Sequence, residues 1–349
     1  MNVGVIFGQM LVLLAMMAVG FFCYKKSWVS DETAGHLSKL AVNVFNPILV
    51  INGVLGQNSA APGNNVAWNL MFIVIYFVLL MVIGSVLPML LRPQDKHKSV
   101  YRLMTIFANV GFMGIPVVKS IFGDGAMIYI AFYILGYNLM LYTVGMFLSI
   151  KAGEENHKYG MSYLEAMAAN GAGKKNVKAE QETVRNTSSV EKQGGVGEFL
   201  KRLMNPGVIA ALFAVVIFAF GIQMPGPVVT FCDYMGNTTI PLSMIMIGIS
   251  MAQANLREVF GDFRIYIFVF IRMIALPILM TFALKGFVTA NAIDPVVFGV
   301  FIIELGMPVG SIIVMMAREK GADAAYCTKG VVVSTLASII TIPLICAFL

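Results

Sequence analysis

Charge is what this sequence has least of. Asp, Glu, Lys and Arg together make up only 12% of 349 residues, about half the share of an average soluble domain. Too little charge remains to cover a water-facing surface of ordinary size, which excludes the soluble globular class. Histidine is also scarce: His36, His97 and His157 are the only three, each in a polar loop or at the edge of an apolar stretch. Neither an HExxH nor a GxSxG pattern occurs, so zinc-hydrolase and serine-hydrolase chemistry lack their parts. The four cysteines, Cys23, Cys232, Cys327 and Cys346, show no metal-type spacing and read as buried, inert thiols. No enzyme, cofactor or metal site is expected.

Hydrophobic residues are what the chain has instead. They make up 58% of it, and the mean hydropathy is +0.82. Ten apolar segments are long enough to cross a bilayer, at about 3–23, 37–56, 68–91, 101–121, 125–150, 206–223, 227–251, 262–286, 296–317 and 326–348. The first does not read as a cleaved signal peptide. No basic region precedes it, Lys25 and Lys26 follow it, and no small-residue cleavage site is evident. The expected class is all-α integral membrane.

Lys and Arg are also missing from alternate loops. The loops after segments two, four, six and eight contain neither, whereas those after one, three, five, seven and nine hold Lys25 and Lys26, Arg92 with Lys96 and Lys98, a large cluster, Arg257, and Arg318 with Lys320. The positive-inside rule then places the basic loops in the cytoplasm and both termini outside. The net charge of +6 reports that topology and contact with anionic lipid headgroups, not nucleic acid. One long polar stretch, 151–204, mixes both signs of charge and reads as a solvated cytoplasmic linker with a short helix near Tyr163 to Ala169. It separates a five-span unit at 1–150 from another at 205–349. Two tandem units of odd span count must enter the membrane in opposite orientations, which gives an inverted repeat.

Glycine and proline punctuate matching places in the two halves. ANVGFMGIP (Ala108 to Pro116) and FIIELGMPVG (Phe301 to Gly310) interrupt spans four and nine. Gly permits unusual backbone and Pro removes a donor, so a helix breaks or kinks there. Freed backbone groups are tolerated at membrane depth only where they line a cavity or meet protein, and paired interruptions point to a transporter's binding site. Spans two and seven match in a weaker way: NVFNPILV (Asn43 to Val50) and GNTTIPLSMIMIG (Gly236 to Gly248) each place Asn before a mid-membrane Pro. Short Gly/Asp turns, Gly123-Asp124-Gly125 and Gly321-Ala322-Asp323, follow the two breaks.

The run FANVGFMGIPVVKSIFGDGAMIYIAFY (Phe107 to Tyr133) resembles spans four and five of the auxin efflux carrier family. MNPGVIAALFAVVIF, NTTIPLSMIMIGISM and VVVSTLASIITIPL, starting at Met204, Asn237 and Val331, are similar to that family too. The resemblance covers both apolar halves and fails in the linker; its most specific piece is the span-four motif. It implies ten helices with broken, crossing helices four and nine, a split into scaffold and transport parts, and often a homodimer. It also implies a secondary active transporter (permease) for organic anions: malonate, malate and related carboxylates in bacterial members, auxin in plants. The short loops look more like a bacterial member, in the cell (inner) membrane. Glu304, just before the second break, departs from the family's commoner pattern.

The expected substrate-binding set is Asn46, Pro47, Asn109, Gly111, Gly114 and Pro116 from the first half, with Asn237, Pro241, Gly306, Pro308 and Gly310 from the second. The asparagines can satisfy freed backbone groups or hold a carboxylate beside helix N-termini. Arg272 and Glu304 each lie about 12 Å into their spans, where a charge is costly unless paired, solvated or functional. Three readings stand: a mutual salt bridge that locks spans eight and nine, Arg272 as a direct substrate ligand, or a role for Glu304 with a coupling proton or sodium ion. The resemblance puts span eight on the scaffold side. Lys119, Lys285 and Lys329 lie near span ends, where snorkelling accounts for them. A channel-like facilitator or a membrane receptor for organic anions shares these features and is separated from a carrier by flux measurements.

Overall fold

The computed structural model describes residues 3–55, 63–169, 206–253, 259 and 261–349. Among them the structure is helical, with one isolated antiparallel bridge and no strand. The helices are α1 (Val3–Lys25), α2 (Asp31–Leu40), α3 (Asn46–Asn52), α4 (Gly63–Leu91), α5 (Lys98–Ile106), α6 (Ile115–Phe122), α7 (Met127–Met140), α8 (Met146–Ala169), α9 (Pro206–Phe220), α10 (Gly226–Gln253), α11 (Phe263–Phe270), α12 (Leu276–Ala290), α13 (Pro295–Gly306), α14 (Ile312–Glu319) and α15 (Ala324–Cys346). Five helical stretches are long and apolar enough to span a membrane: Asn64–Leu91, Asp124–Ser162, Gly226–Gln253, Phe263–Ala290 and Ala324–Cys346. Shorter apolar helices at Met10–Lys25, Val110–Phe122, Pro206–Phe220 and Pro295–Gly306 accompany them.

Proline explains much of this segmentation. Wide π-turns at Ala41–Phe45, Val110–Gly114 and Ile271–Ala275 each end two residues before a proline: Pro47, Pro116 and Pro277. A proline lacks the N–H for the i→i−4 bond and its ring clashes with that carbonyl. Widening the preceding turn relieves the clash while the helix continues. A fourth π-turn, Leu141–Gly145, has no proline after it. There the Thr143 hydroxyl donates to the carbonyls of Leu139 and Met140 at 2.6 and 3.3 Å, competing with the backbone ladder.

Packing gathers the helices around two centres that also touch each other, α9 lying against α7 and α1 against α15. At one, α1, α2, α3 and α9 gather around α10 or one another. At the other, α4, α5, α7, α8 and α11 to α15 surround the broken segments. α1 and α10 touch along glycines: Gly20 faces the Ile245 backbone, and Gly248 faces the Met17 carbonyl so closely that a Cβ would overlap it. Gly248→Ala must therefore push α1 off α10. A loss of about 1–3 kcal/mol, typical of overpacking, should appear as a lower melting temperature in detergent; an unchanged value would show that the two helices separate easily.

At the end of the molecule bearing the basic loops, several elements are tied by polar groups. The Asp323 carboxylate meets Lys96 at 3.2 Å and His97 at 3.0 Å, and the His97 ring stacks on Tyr326. Tyr326 donates to Asp262 at 2.6 Å, while Asn156 and Glu155 of α8 reach the Gly321 carbonyl and Ser99. These tethers also explain why α8 runs through Ala169, beyond the expected linker start at 151. Good helix formers such as Glu154, Glu155, Met161, Leu164 and Ala166 carry it on, with no proline to stop it. The rest of the expected linker, 170–204, lies outside the described residues.

The hydrogen bond from His97, helped by the Tyr326 amide and Lys96 against the opposing effect of burial, holds Asp323 well below the usual carboxylate range. A carboxylate depressed in the fold stabilises it above the unfolded value of about 3.9, and that contribution fades as pH falls toward the folded value. Asp323→Asn should therefore cost about 1.5–3 kcal/mol near neutrality, with the gap to the parent closing below about pH 4. Melting temperatures of both proteins across that range check the sign; a gap that widens in acid refutes it.

Candidate functional site

The two interrupted segments cross and are joined through main chain. After α5 the backbone leaves the helix at Phe107, and Asn109 starts a new one. After α13 the chain runs extended through Met307 before Ser311 caps α14. The Asn109 amide donates to the Pro308 carbonyl at 2.8 Å, and the Gly310 amide donates to the Phe107 carbonyl at 2.9 Å. These two bonds form the bridge between Ala108 and Val309. Each break therefore satisfies the backbone of the other, as buried polar groups require. Gly310 is needed for the approach, since a Cβ would stand 2.9 Å from the Ala108 carbonyl.

Arg272 caps both helix ends that run into the crossing. It is 1% exposed. Its Nε donates to the Thr105 carbonyl in the last turn of α5 at 2.9 Å, and its Nη1 donates to the Leu305 carbonyl of α13. Carbonyls in a last turn have no intrahelical donor and mark the negative end of the helix dipole. One guanidinium thus serves two C-termini. Its helical segment packs against α13 and α15, so the side expected for span eight is corrected: it belongs with the broken helices, because only there can Arg272 meet both ends.

Glu304 is fully buried, and neither carboxylate oxygen has a hydrogen-bond partner. It faces Gly114 in the π-turn of the first break, where a Cβ would overlap the carboxylate. Arg272 lies close enough to act on Glu304 electrostatically, but no ion pair within 4 Å joins them. Tyr76 and Tyr133, fully buried with unpartnered hydroxyls and rings packed edge to face at 5.6 Å, lie within electrostatic reach of Glu304.

On the other side of the crossing, the Asn109 side chain accepts from the Phe112 amide at 3.2 Å, leaving its buried Nδ2 unpartnered. Asn46, ahead of buried Pro47, brings its Nδ2 near Gly111, and its Oδ1 is enclosed without a partner. Pro116 is buried at the start of α6. Gly306 packs under Ile345 and Pro277. The structure thus brings Asn109 to Pro308 and Gly310 to Phe107, sets Asn46 beside Gly111 and Glu304 beside Gly114, and ties Arg272 to both helix ends; Pro47, Pro116 and Gly306 are buried in the adjoining helices. Asn237 stands apart: it is exposed on α10, 3.5 Å from the Lys119 ammonium. Pro241 lies half-buried farther along the same helix.

Sequence reasoning missed several groups here. The Ser334 hydroxyl accepts from the Val309 amide at 3.0 Å, satisfying a donor that the break sets free. Ser338 and Thr341 line the buried face of α15 with it, a polar stripe readable in VVVSTLASIIT at helical spacing. Thr239 and Ser243, buried with unpartnered hydroxyls, flank Pro241 on α10. Tyr76 and Tyr133 had no signal beyond being aromatic in apolar runs.

Residues 5–346 match the family model described as membrane transport protein. An uncharacterized transporter of Methanothermobacter thermautotrophicus is 21% identical over 338 residues, covering 96% of this chain and 95% of the relative. An uncharacterized transporter of Methanocaldococcus jannaschii is 20% identical over 341 residues, covering 96% of each chain.

Proposed function

Because the chain belongs to the membrane transport protein family, that of the auxin efflux carriers, we propose that it is a secondary active transporter for a small organic anion. The family assignment makes it a membrane transport protein rather than an enzyme. The substrate class we favour is a mono- or dicarboxylate such as malonate or malate. The observation that carries this reading is the pair of crossed breaks. Helices beginning at Val110 and Ile312 open toward the crossing, and helix N-termini offer unpaired amides and positive dipole ends to an anion. The enclosed, unpartnered Nδ2 of Asn109 supplies a short-range donor beside them, with the Asn46 Nδ2 close by at Gly111. Arg272 neutralises the opposite, C-terminal ends, so the positive ends are left to act on substrate.

In this reading the chain is two inverted five-helix repeats, 1–150 and 205–349, in the cell membrane, with both termini outside and the linker cytoplasmic. The group around α10 serves as scaffold and the group around the crossing as the moving part, which would alternate access between the two sides. A proton on Glu304 or a sodium ion would couple the cycle, and the working unit would be a homodimer. The test is a thermal-shift screen of small carboxylates on purified protein, followed by uptake of the hits into proteoliposomes. Saturable uptake is expected. Flux that does not saturate would replace the carrier with a channel, and binding without flux would replace it with a receptor.

A further inference from the structure

Away from the crossing, a cleft of about 430 Å³ opens where α4 ends and α5 begins, lined by Ser85, Pro88, Met89, Arg92, Pro93, Asp95, Lys98 and Arg102. Three of these side chains are cationic and one is anionic. Asp95 is already engaged by Lys98 at 2.8 Å, so Arg92 and Arg102 carry charge with no acid in the cleft left to balance it. The Nε of Arg102 is enclosed and has no acceptor. A guanidinium N–H shut away from water without an acceptor is costly.

Arg92 adds an independent sign. It ends α4 with φ +45°, its amide bonded back to Pro88 at 3.1 Å. This left-handed helix stop is the usual place for glycine, and glycine takes it after α6 and α14, at Gly123 and Gly321. Among the described residues with positive φ, Arg92 is the only charged one. Arginine here forgoes the easier backbone that glycine would bring and sets its guanidinium at the cleft. Next to it, Met89 and Leu90 are 72% and 65% exposed, an apolar wall beside a basic recess.

We propose that this cleft binds a phosphate group, and that the phosphate is carried by an anionic phospholipid of the adjacent leaflet. Arg92 and Arg102 would clamp the phosphate oxygens, since a guanidinium fork matches that geometry. Lys98 and the Ser85 hydroxyl would add donors, and the acyl chains would lie along Met89 and Leu90. The reading is independent of the transported substrate and needs only that α4 border lipid.

The test uses the full-length protein purified in a neutral detergent. Its melting temperature is measured with added phosphatidylglycerol, phosphatidylcholine or inorganic phosphate. The parent should gain several degrees from phosphatidylglycerol over phosphatidylcholine. Arg102→Gln should lose most of that gain, while Lys25→Gln with Lys26→Gln, at another basic loop, should keep it. Arg92→Gly separates binding from folding: without lipid it should melt at or above the parent temperature, because glycine suits the backbone, yet respond less to phosphatidylglycerol. Equal lipid gains in the parent, Arg92→Gly and Arg102→Gln would overturn the site. An Arg102-dependent gain from inorganic phosphate alone, with no further effect of the lipid, would overturn the lipid as its source.

Discussion

Arg272→Met should cost this protein about 3–5 kcal/mol, the loss expected when one partner of a buried charged arrangement is removed. The guanidinium donates to the ends of α5 and α13 at once. A methionine of similar length leaves two carbonyls facing each other with no donor between them. It also removes the cation that acts through space on Glu304, whose oxygens have no hydrogen-bond partner. Arg272→Lys should recover only part of the loss, because a single ammonium lacks the fork that reaches both carbonyls. Yield of monodisperse protein and melting temperature in detergent provide the readout. A variant melting within a degree or two of the parent would mean that water replaces the guanidinium and that the capping is incidental.

Glu304→Gln should do the reverse, leaving the fold nearly intact and removing function. No ion pair within 4 Å ties Glu304 to Arg272, and glutamine has nearly the shape and volume of glutamate against Gly114. If Glu304 carries the coupling proton, the amide imitates a permanently protonated state. Substrate binding and exchange of labelled for unlabelled substrate should persist, while gradient-driven accumulation falls to a ratio of about one, because the ion no longer biases the conformational equilibrium. Exchange and net uptake in proteoliposomes, measured with and without a pH gradient, separate the two. If Glu304→Gln instead expresses poorly and adding Arg272→Gln restores both melting temperature and accumulation, Glu304 is a charge balance and carries no coupling.

What the sequence revealed of this site was backbone chemistry. Gly306, Pro308 and Gly310 announce where the second segment cannot stay helical, and it breaks there; the first breaks just upstream of its Gly/Pro run, at Phe107 to Asn109, and Gly111, Gly114 and Pro116 sit inside the helix that follows, whose turn is widened instead. The buried charges were legible from their depth alone. Their relation was not: the distance from Arg272 to Glu304 depends on which carbonyls the guanidinium takes, and main-chain carbonyls carry no sequence signal. The same limit hid Ser334, whose partner is the Val309 amide. Span eight was placed by resemblance alone, and nothing in its own residues names the helices that Arg272 packs against. Asn237 shows the opposite failure: its motif matched that of Asn46, yet rotation about the α10 axis turns it to an exposed face beside Lys119.

The bridge between Ala108 and Val309 also bears on how the protein is made. Its two strands of backbone are separated by most of the chain, so the ribosome delivers Asn109 long before Pro308 exists. Until then the Asn109 amide and the Phe107 carbonyl have no protein partner, and in hydrocarbon each such group costs several kcal/mol. The first break therefore cannot reach its final form as it leaves the insertion machinery. It must wait, shielded by water, by that machinery or by a temporarily continuous helix, for synthesis of the second half. A chain halted before residue 308 is thus an unfinished membrane protein in a chemical sense, and quality control has an exposed backbone to recognise.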